Sequence, residues 1–75
     1  MHMSRKVKFL NNLSNSENVF VFIENETEFI LDIKKYDIKG VNPHFFDYMY
    51  RAEKILIDFK VVNGKNYITK VISYK

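Results

Sequence analysis

The sequence predicts one mostly β domain, a five-stranded antiparallel barrel with a single short helix between the third and fourth strands. Three observations lead there. β-Branched and aromatic residues recur at alternate positions in several separate stretches, the period of a pleated strand. Only the stretch after Pro43 spaces its apolar residues as a helix does. The chain has 75 residues, 47% of them hydrophobic and 16% aromatic, with seven Phe and five Tyr. That is enough for one dense core, too little for a second domain, and far too aromatic for a disordered chain.

Met1-His2-Met3 reads as a cloning remnant ahead of a native start at Met3, which leaves residues 4–75 as the domain. In residues 4–10, Val7 and Phe9 alternate with Lys6 and Lys8, the pattern of a half-buried first strand. Residues 11–18 are rich in Asn and Ser, whose side chains offer the backbone local hydrogen bonds, and read as a loop. Val19-Phe20-Val21-Phe22-Ile23 is wholly β-branched or aromatic and predicts the second strand. Asn25-Glu26 turns the chain into a third strand over 27–35, where Phe29, Leu31 and Ile33 alternate with Glu28, Ile30, Asp32 and Lys34. Asn42 is suited to cap a helix and Pro43 to open one. Phe45, Phe46, Met49, Tyr50 and Ala52 then form an apolar stripe on a helix over 43–53, with Asp47 near its start and Arg51 and Lys54 at its end, as the helix dipole favours. Ile55, Ile57, Phe59 and Val61 mark the fourth strand. Asn63-Gly64, both tolerant of positive φ, turns it into a fifth over 65–74, whose mixed parity suggests that both its faces are partly covered.

A five-stranded sheet of this size tends to close on itself, because closure removes exposed edges, and the helix would plug one end with Phe45, Phe46, Met49 and Tyr50. This order of elements resembles the oligonucleotide/oligosaccharide-binding (OB) fold over essentially the whole chain from Ser4 to Lys75. The resemblance rests on element order and on no signature motif. A small barrel of the SH3 or Sm type is the second reading.

Several functions find little support. Without cysteine there is no disulfide framework, no thiolate nucleophile and no Cys-type zinc site, which favours a reducing, cytoplasmic setting. The longest apolar run, Val19 to Ile23, is far shorter than the roughly 20 residues of a membrane span. His44 stands alone in the first helical turn and reads as a solvent-facing or capping residue. Glu24, Glu26 and Glu28 flank a turn and read as a solvated strand face rather than a cation site. Gly40 and Gly64 are too few for a phosphate-cradling loop. The expectation is a non-enzyme with no metal and no cofactor.

Charge points to binding, through its distribution more than its total of +3. Residues 1–10 carry net +3, residues 11–33 net −5 and residues 34–75 net +5. The OB resemblance implies a groove across the second and third strands that takes single-stranded DNA or RNA, with lysines on the phosphates and rings under the bases. On this chain the positions are Phe20 or Phe22 as a stacking surface, Lys34, Lys35 and Tyr36 after the third strand, and Lys60, Lys65, Asn66, Tyr67 and Lys70 on the last hairpin. Each also has a plain structural use: Phe20 and Phe22 as core, the lysines as solubilising surface, Tyr67 as packing. Were Phe20 and Phe22 outward, Glu28 and Asp32 would share their face and repel phosphate, moving nucleic acid to the last hairpin and residues 5–8. A second expectation is therefore a protein-interaction or inhibitory module that docks onto a larger protein through the acidic hairpin, with oligomerisation also open.

Overall fold

The computed structural model describes residues 4–12 and 18–75. Five strands, β1 (Ser4–Asn12), β2 (Val19–Glu24), β3 (Thr27–Asp32), β4 (Ile55–Val62) and β5 (Lys65–Tyr74), close into a ring in the order β1-β2-β3-β5-β4. One helix, α1 (Pro43–Tyr48), lies between β3 and β4. The remnant reading of residues 1–3 and the loop reading of residues 13–17 lie outside the described residues.

The sheet is mixed, not antiparallel throughout. β3 and β5 run parallel, with Phe29 opposite Asn66 and Ile30 opposite Tyr67, while the other four pairings are antiparallel. Parity requires this: strand direction cannot alternate all the way round a closed ring with an odd number of strands, so at least one pair must be parallel. β1 closes the ring by serving two neighbours. Its first half pairs with β4 from Ser4 to Val7, and its second half pairs with β2 from Lys8 to Asn12. The register slips between Phe9 and Asn11, leaving Leu10 as the extra residue of a bulge that bends the strand. β1 thus extends through Asn11 and Asn12, which their composition assigns to the loop.

Inside the ring, Phe20 and Phe22 of β2 meet Phe29 and Leu31 of β3, Ile55 and Ile57 of β4, and Ile68 and Val71 of β5. Ile68 and Val71 both point inward although three positions apart, because a register shift leaves Thr69 extra between them; a second leaves Ile72 extra. Two bulges account for the mixed parity of β5, and its outer face is also partly covered, Tyr67 by the ring of Tyr36.

Phe45, Met49 and Ala52 close one end. Asn42 caps α1 as expected, its side-chain oxygen accepting from the Phe45 N–H at 2.9 Å, and Pro43 occupies the first turn. The helix is shorter than its apolar stripe suggests, stopping at Tyr48 instead of residue 53. The Glu53 and Lys54 N–H groups both donate to the Lys75 carbonyl, at 2.7 and 3.2 Å, which draws the chain into β4. With the helix cut short, neither end carries the expected dipole-matching charges. Tyr50 leaves the stripe and is 61% exposed, its ring 4.7 Å from that of Phe9.

β3 also ends early, at Asp32 and not at Lys35. The Asp32 carboxylate accepts from the Lys34 and Lys35 N–H groups, at 3.3 and 3.1 Å, and curls the backbone out of the sheet. Among the described residues no helix is long and apolar enough to cross a membrane.

Candidate functional site

Phe20 and Phe22 do not form a stacking surface. They are 5% and 0% exposed, and a ring enclosed by the core offers no face to a base. Alternation along the strands instead turns Val19, Val21 and Ile23 of β2 outward, opposite Asp32, Ile30 and Glu28 of β3. This outer face carries four aliphatic side chains and two carboxylates. Glu28 and Asp32 therefore stay on the surface although the two rings went inside.

Next to that face, Val21, Glu26, Glu28 and Ile30 line an open groove of about 380 Å³ with Gly64, Lys65 and Asn66 of the last hairpin. Asn66 is partly tied down, its amide N–H donating to the Glu28 carbonyl at 3.2 Å. Lys65 sets one ammonium against the Glu26 and Glu28 carboxylates. The first of the expected binding regions is thus weakly suited to a polyanion.

Farther along β5 the outer face differs. Tyr67 faces outward there, opposite Lys60 on β4 and Ile30 on β3. The turn after Asp32 brings Tyr36 against it, ring centres 5.0 Å apart and planes at 60°. Lys60 Nζ lies 4.2 Å from the centre of the Tyr36 ring. Lys35 Nζ lies 5.2 Å from the Tyr67 ring and 5.6 Å from the Tyr36 ring. Both rings are half-buried and both lysines exposed, so four residues from three parts of the chain form one aromatic surface topped by cations. Each ammonium over a ring at such a site contributes about 0.5–1 kcal/mol.

The surface has firm footing. Residues 33–35 are held by the Asp32 turn, and Lys39 bridges to Lys70, its N–H donating to the Thr69 carbonyl at 3.3 Å and its carbonyl accepting from the Val71 N–H at 2.8 Å. Lys70 lies exposed on the outer side of β5, opposite Asp58. Lys34 stands exposed at the Asp32 turn.

Of the ten expected positions, then, Lys35, Tyr36, Lys60 and Tyr67 come together, with Lys70 along the same strand. Lys65 and Asn66 form a wall of the acidic groove, Lys34 sits at the Asp32 turn, and Phe20 and Phe22 belong to the core. Sequence reasoning did not single out Lys39, whose signal was its place as the third lysine within residues 34–39. Nor did it single out the Tyr48 and Tyr74 rings that His44 joins near the helix: His44 Nδ1 shares a hydrogen bond of 2.6 Å with the Tyr74 hydroxyl. Among the described residues no group of three or more His, Cys, Asp or Glu is arranged to hold a metal ion. Comparison of the chain with protein-family models, curated proteins and solved structures finds no match.

Proposed function

We propose that this chain is an OB-like, non-catalytic module that binds single-stranded DNA or RNA with little sequence preference. The cluster of Lys35, Tyr36, Lys60 and Tyr67 carries the reading. Supporting the fold assignment are the strand order, with β1 shared between β2 and β4, and the helix between β3 and β4.

The mechanism follows from the contacts. A base stacking on Tyr36 takes the place of the Lys60 ammonium over that ring, and the displaced ammonium is free to pair with the adjoining phosphate. Lys35 does the same beside Tyr67. Every base has a π-face, so stacking of this kind does not discriminate between sequences. Phosphate pairing releases counterions and makes affinity fall with salt.

Fluorescence anisotropy with labelled oligo-dT and oligo-U across a salt series tests this. Binding is expected at low salt with a negative slope of log K against log [salt]. Tyr36→Ala and Tyr67→Ala should each cost about 1–3 kcal/mol of binding; each also loses the contact between the two rings and so melts at a lower temperature, and the titrations are run well below that melt, where both variants are folded. Absence of binding at low salt, or affinity indifferent to both salt and the tyrosines, removes the proposal.

Docking to a larger protein through the acidic hairpin is the second reading. Glu26 and Glu28 are exposed, as it requires. Its apolar anchor now has to come from Ile23 and Ile30, both half-buried, since Phe20 and Phe22 are in the core. That makes it the weaker of the two.

A further inference from the structure

From Tyr36 into the first turn of α1, the chain runs alongside β5 in the same direction and touches it at three points. Tyr36 meets Tyr67, Lys39 bridges to Lys70, and His44 meets Tyr74. These contacts define a seam down one side of the ring, and the aromatic surface described above occupies only its first end.

At its other end the same combination of rings and cations recurs on different residues. His44 and Tyr48 lie nearly parallel, with planes 11° apart and centres separated by 6.0 Å, and Tyr48 is 5.7 Å from Tyr74. The Arg51 guanidinium carbon lies 5.0 Å from the centre of the Tyr48 ring, much as Lys60 covers Tyr36. Tyr48 and Arg51 open onto a hollow of about 390 Å³ bordered by Glu53, Lys54 and Lys75. Three of its side chains are cationic and one is acidic. Between the two ends, the exposed Lys39 and Lys70 flank the seam.

We infer that the Tyr48–Arg51 hollow is a second station for the same single strand of nucleic acid, which follows the β5 seam from Tyr36 and Tyr67 past Lys39 and Lys70. The inference rests on the nucleic-acid reading and adds a path and a length to it. From Tyr67 to Tyr74 the strand passes seven residues but, with two of them extra at bulges, advances only the five steps from Lys60 to Ile55 on its partner, about 17 Å at ~3.3 Å each. A stacked single strand rising ~3.4 Å per nucleotide covers that distance in about five nucleotides, inside the ~4–16 such folds occupy.

Length dependence separates two stations from one. A dT3 oligonucleotide is too short to reach both ends, whereas dT12 spans them and gains from the second contact being intramolecular. Anisotropy is measured for both on the parent chain, on Arg51→Gln and on Tyr36→Ala, with melting temperatures recorded. Expected is dT12 binding at least about 100-fold tighter than dT3, beyond the gain of about tenfold that its overlapping three-nucleotide registers supply at a single station. Arg51→Gln should lower dT12 affinity by about tenfold and reduce the salt slope by about 0.7, the contribution of one phosphate contact to a single strand, with dT3 changing by no more than about twofold. If Arg51→Gln leaves dT12 affinity and slope unchanged while Tyr36→Ala weakens both oligonucleotides, the second station is overturned and the nucleic-acid reading stands. If neither oligonucleotide binds the parent chain at low salt, both fall together.

Discussion

Gly40 and Gly64 have similar backbone angles and different surroundings, so substituting each separates strain from collision. Both are left-handed, at φ 83° and 77°. A Cβ on Gly64 meets nothing within 4 Å, while one on Gly40 would lie 2.0 Å from the Val71 carbonyl oxygen. That oxygen belongs to the stretch of β5 on which Lys39 docks, so it cannot withdraw without opening the seam. Gly64→Ala is expected to cost about 1 kcal/mol from the backbone alone, which lowers Tm by about 4–8 °C in a domain of this size. Gly40→Ala should cost about 2–4 kcal/mol, in the range of changes that force backbone to move, and should weaken oligo-dT binding as well. Thermal melts of the two variants check the order, and equal shifts would show that the chain near Gly40 gives way freely. The same residue-level reasoning explains why Phe22 and Tyr36 differ in use although both are aromatic. One is fixed in the core by strand alternation, the other is left half-exposed by a turn that alternation does not govern.

That turn shows how an element's end can matter more than its middle. Asp32 is the last residue of β3, and its carboxylate holds the next turn, on which Lys35 and Tyr36 ride. Asp32→Ala should therefore destabilise the domain by about 1 kcal/mol and weaken oligo-dT binding by loosening Tyr36. Asp32→Asn keeps the acceptor, so it should retain stability and bind slightly more tightly with one carboxylate fewer. Chemical denaturation and anisotropy on both variants separate the two effects, and equal loss in both would mean that charge, not the turn, is what matters. Strand interiors were legible because β3 and β4 follow a two-residue period that only one face of a sheet satisfies, because β2 is β-branched or aromatic from Val19 to Ile23, and because Asn63-Gly64 forms the positive-φ turn its composition demands. Ends were harder to read. β3 and α1 stop because of contacts that the hydrophobic period does not record: a side chain turned back on its own backbone in one case, the distant Lys75 carbonyl in the other. Pairing across the ring was not legible locally either, although parity alone already excluded an all-antiparallel closure of five strands. The candidate site was half visible for the same reason. Lys60 and Tyr67 share a hairpin, but their meeting with Lys35 and Tyr36 depends on the parallel contact of β3 with β5.

Across the whole molecule, opposite charges are laid side by side. Glu26 and Glu28 project at one end of the β2–β3 hairpin, Lys65 faces them across the groove, and the lysines of the seam begin a few residues farther along β5. The net charge of +3 therefore hides two adjoining fields of opposite sign, and salt, with a Debye length of ~8 Å at physiological ionic strength, sets how far one reaches into the other. A phosphate approaching Tyr67 is attracted by Lys35 and Lys60 and repelled by the hairpin, and salt screens the more distant repulsion before the closer attraction. Replacing the repelling groups with their neutral isosteres, Glu26→Gln and Glu28→Gln, should raise affinity for oligo-dT about three- to tenfold at low salt, on the order of 1 kcal/mol for two unit charges interacting through a high effective dielectric. The gain should shrink as salt is added, so the salt slope of the double variant becomes steeper than that of the parent chain. Both side chains are exposed, so Tm should change little. Anisotropy titrations at several ionic strengths measure affinity and slope together. An unchanged affinity at low salt would mean the strand keeps more than a Debye length from the hairpin tip, which confines it to the lower part of the seam between Lys70 and Arg51. A loss of affinity would mean that the carboxylates hold Lys65 and Asn66 in a geometry the strand uses, and that the acidic hairpin assists binding instead of opposing it.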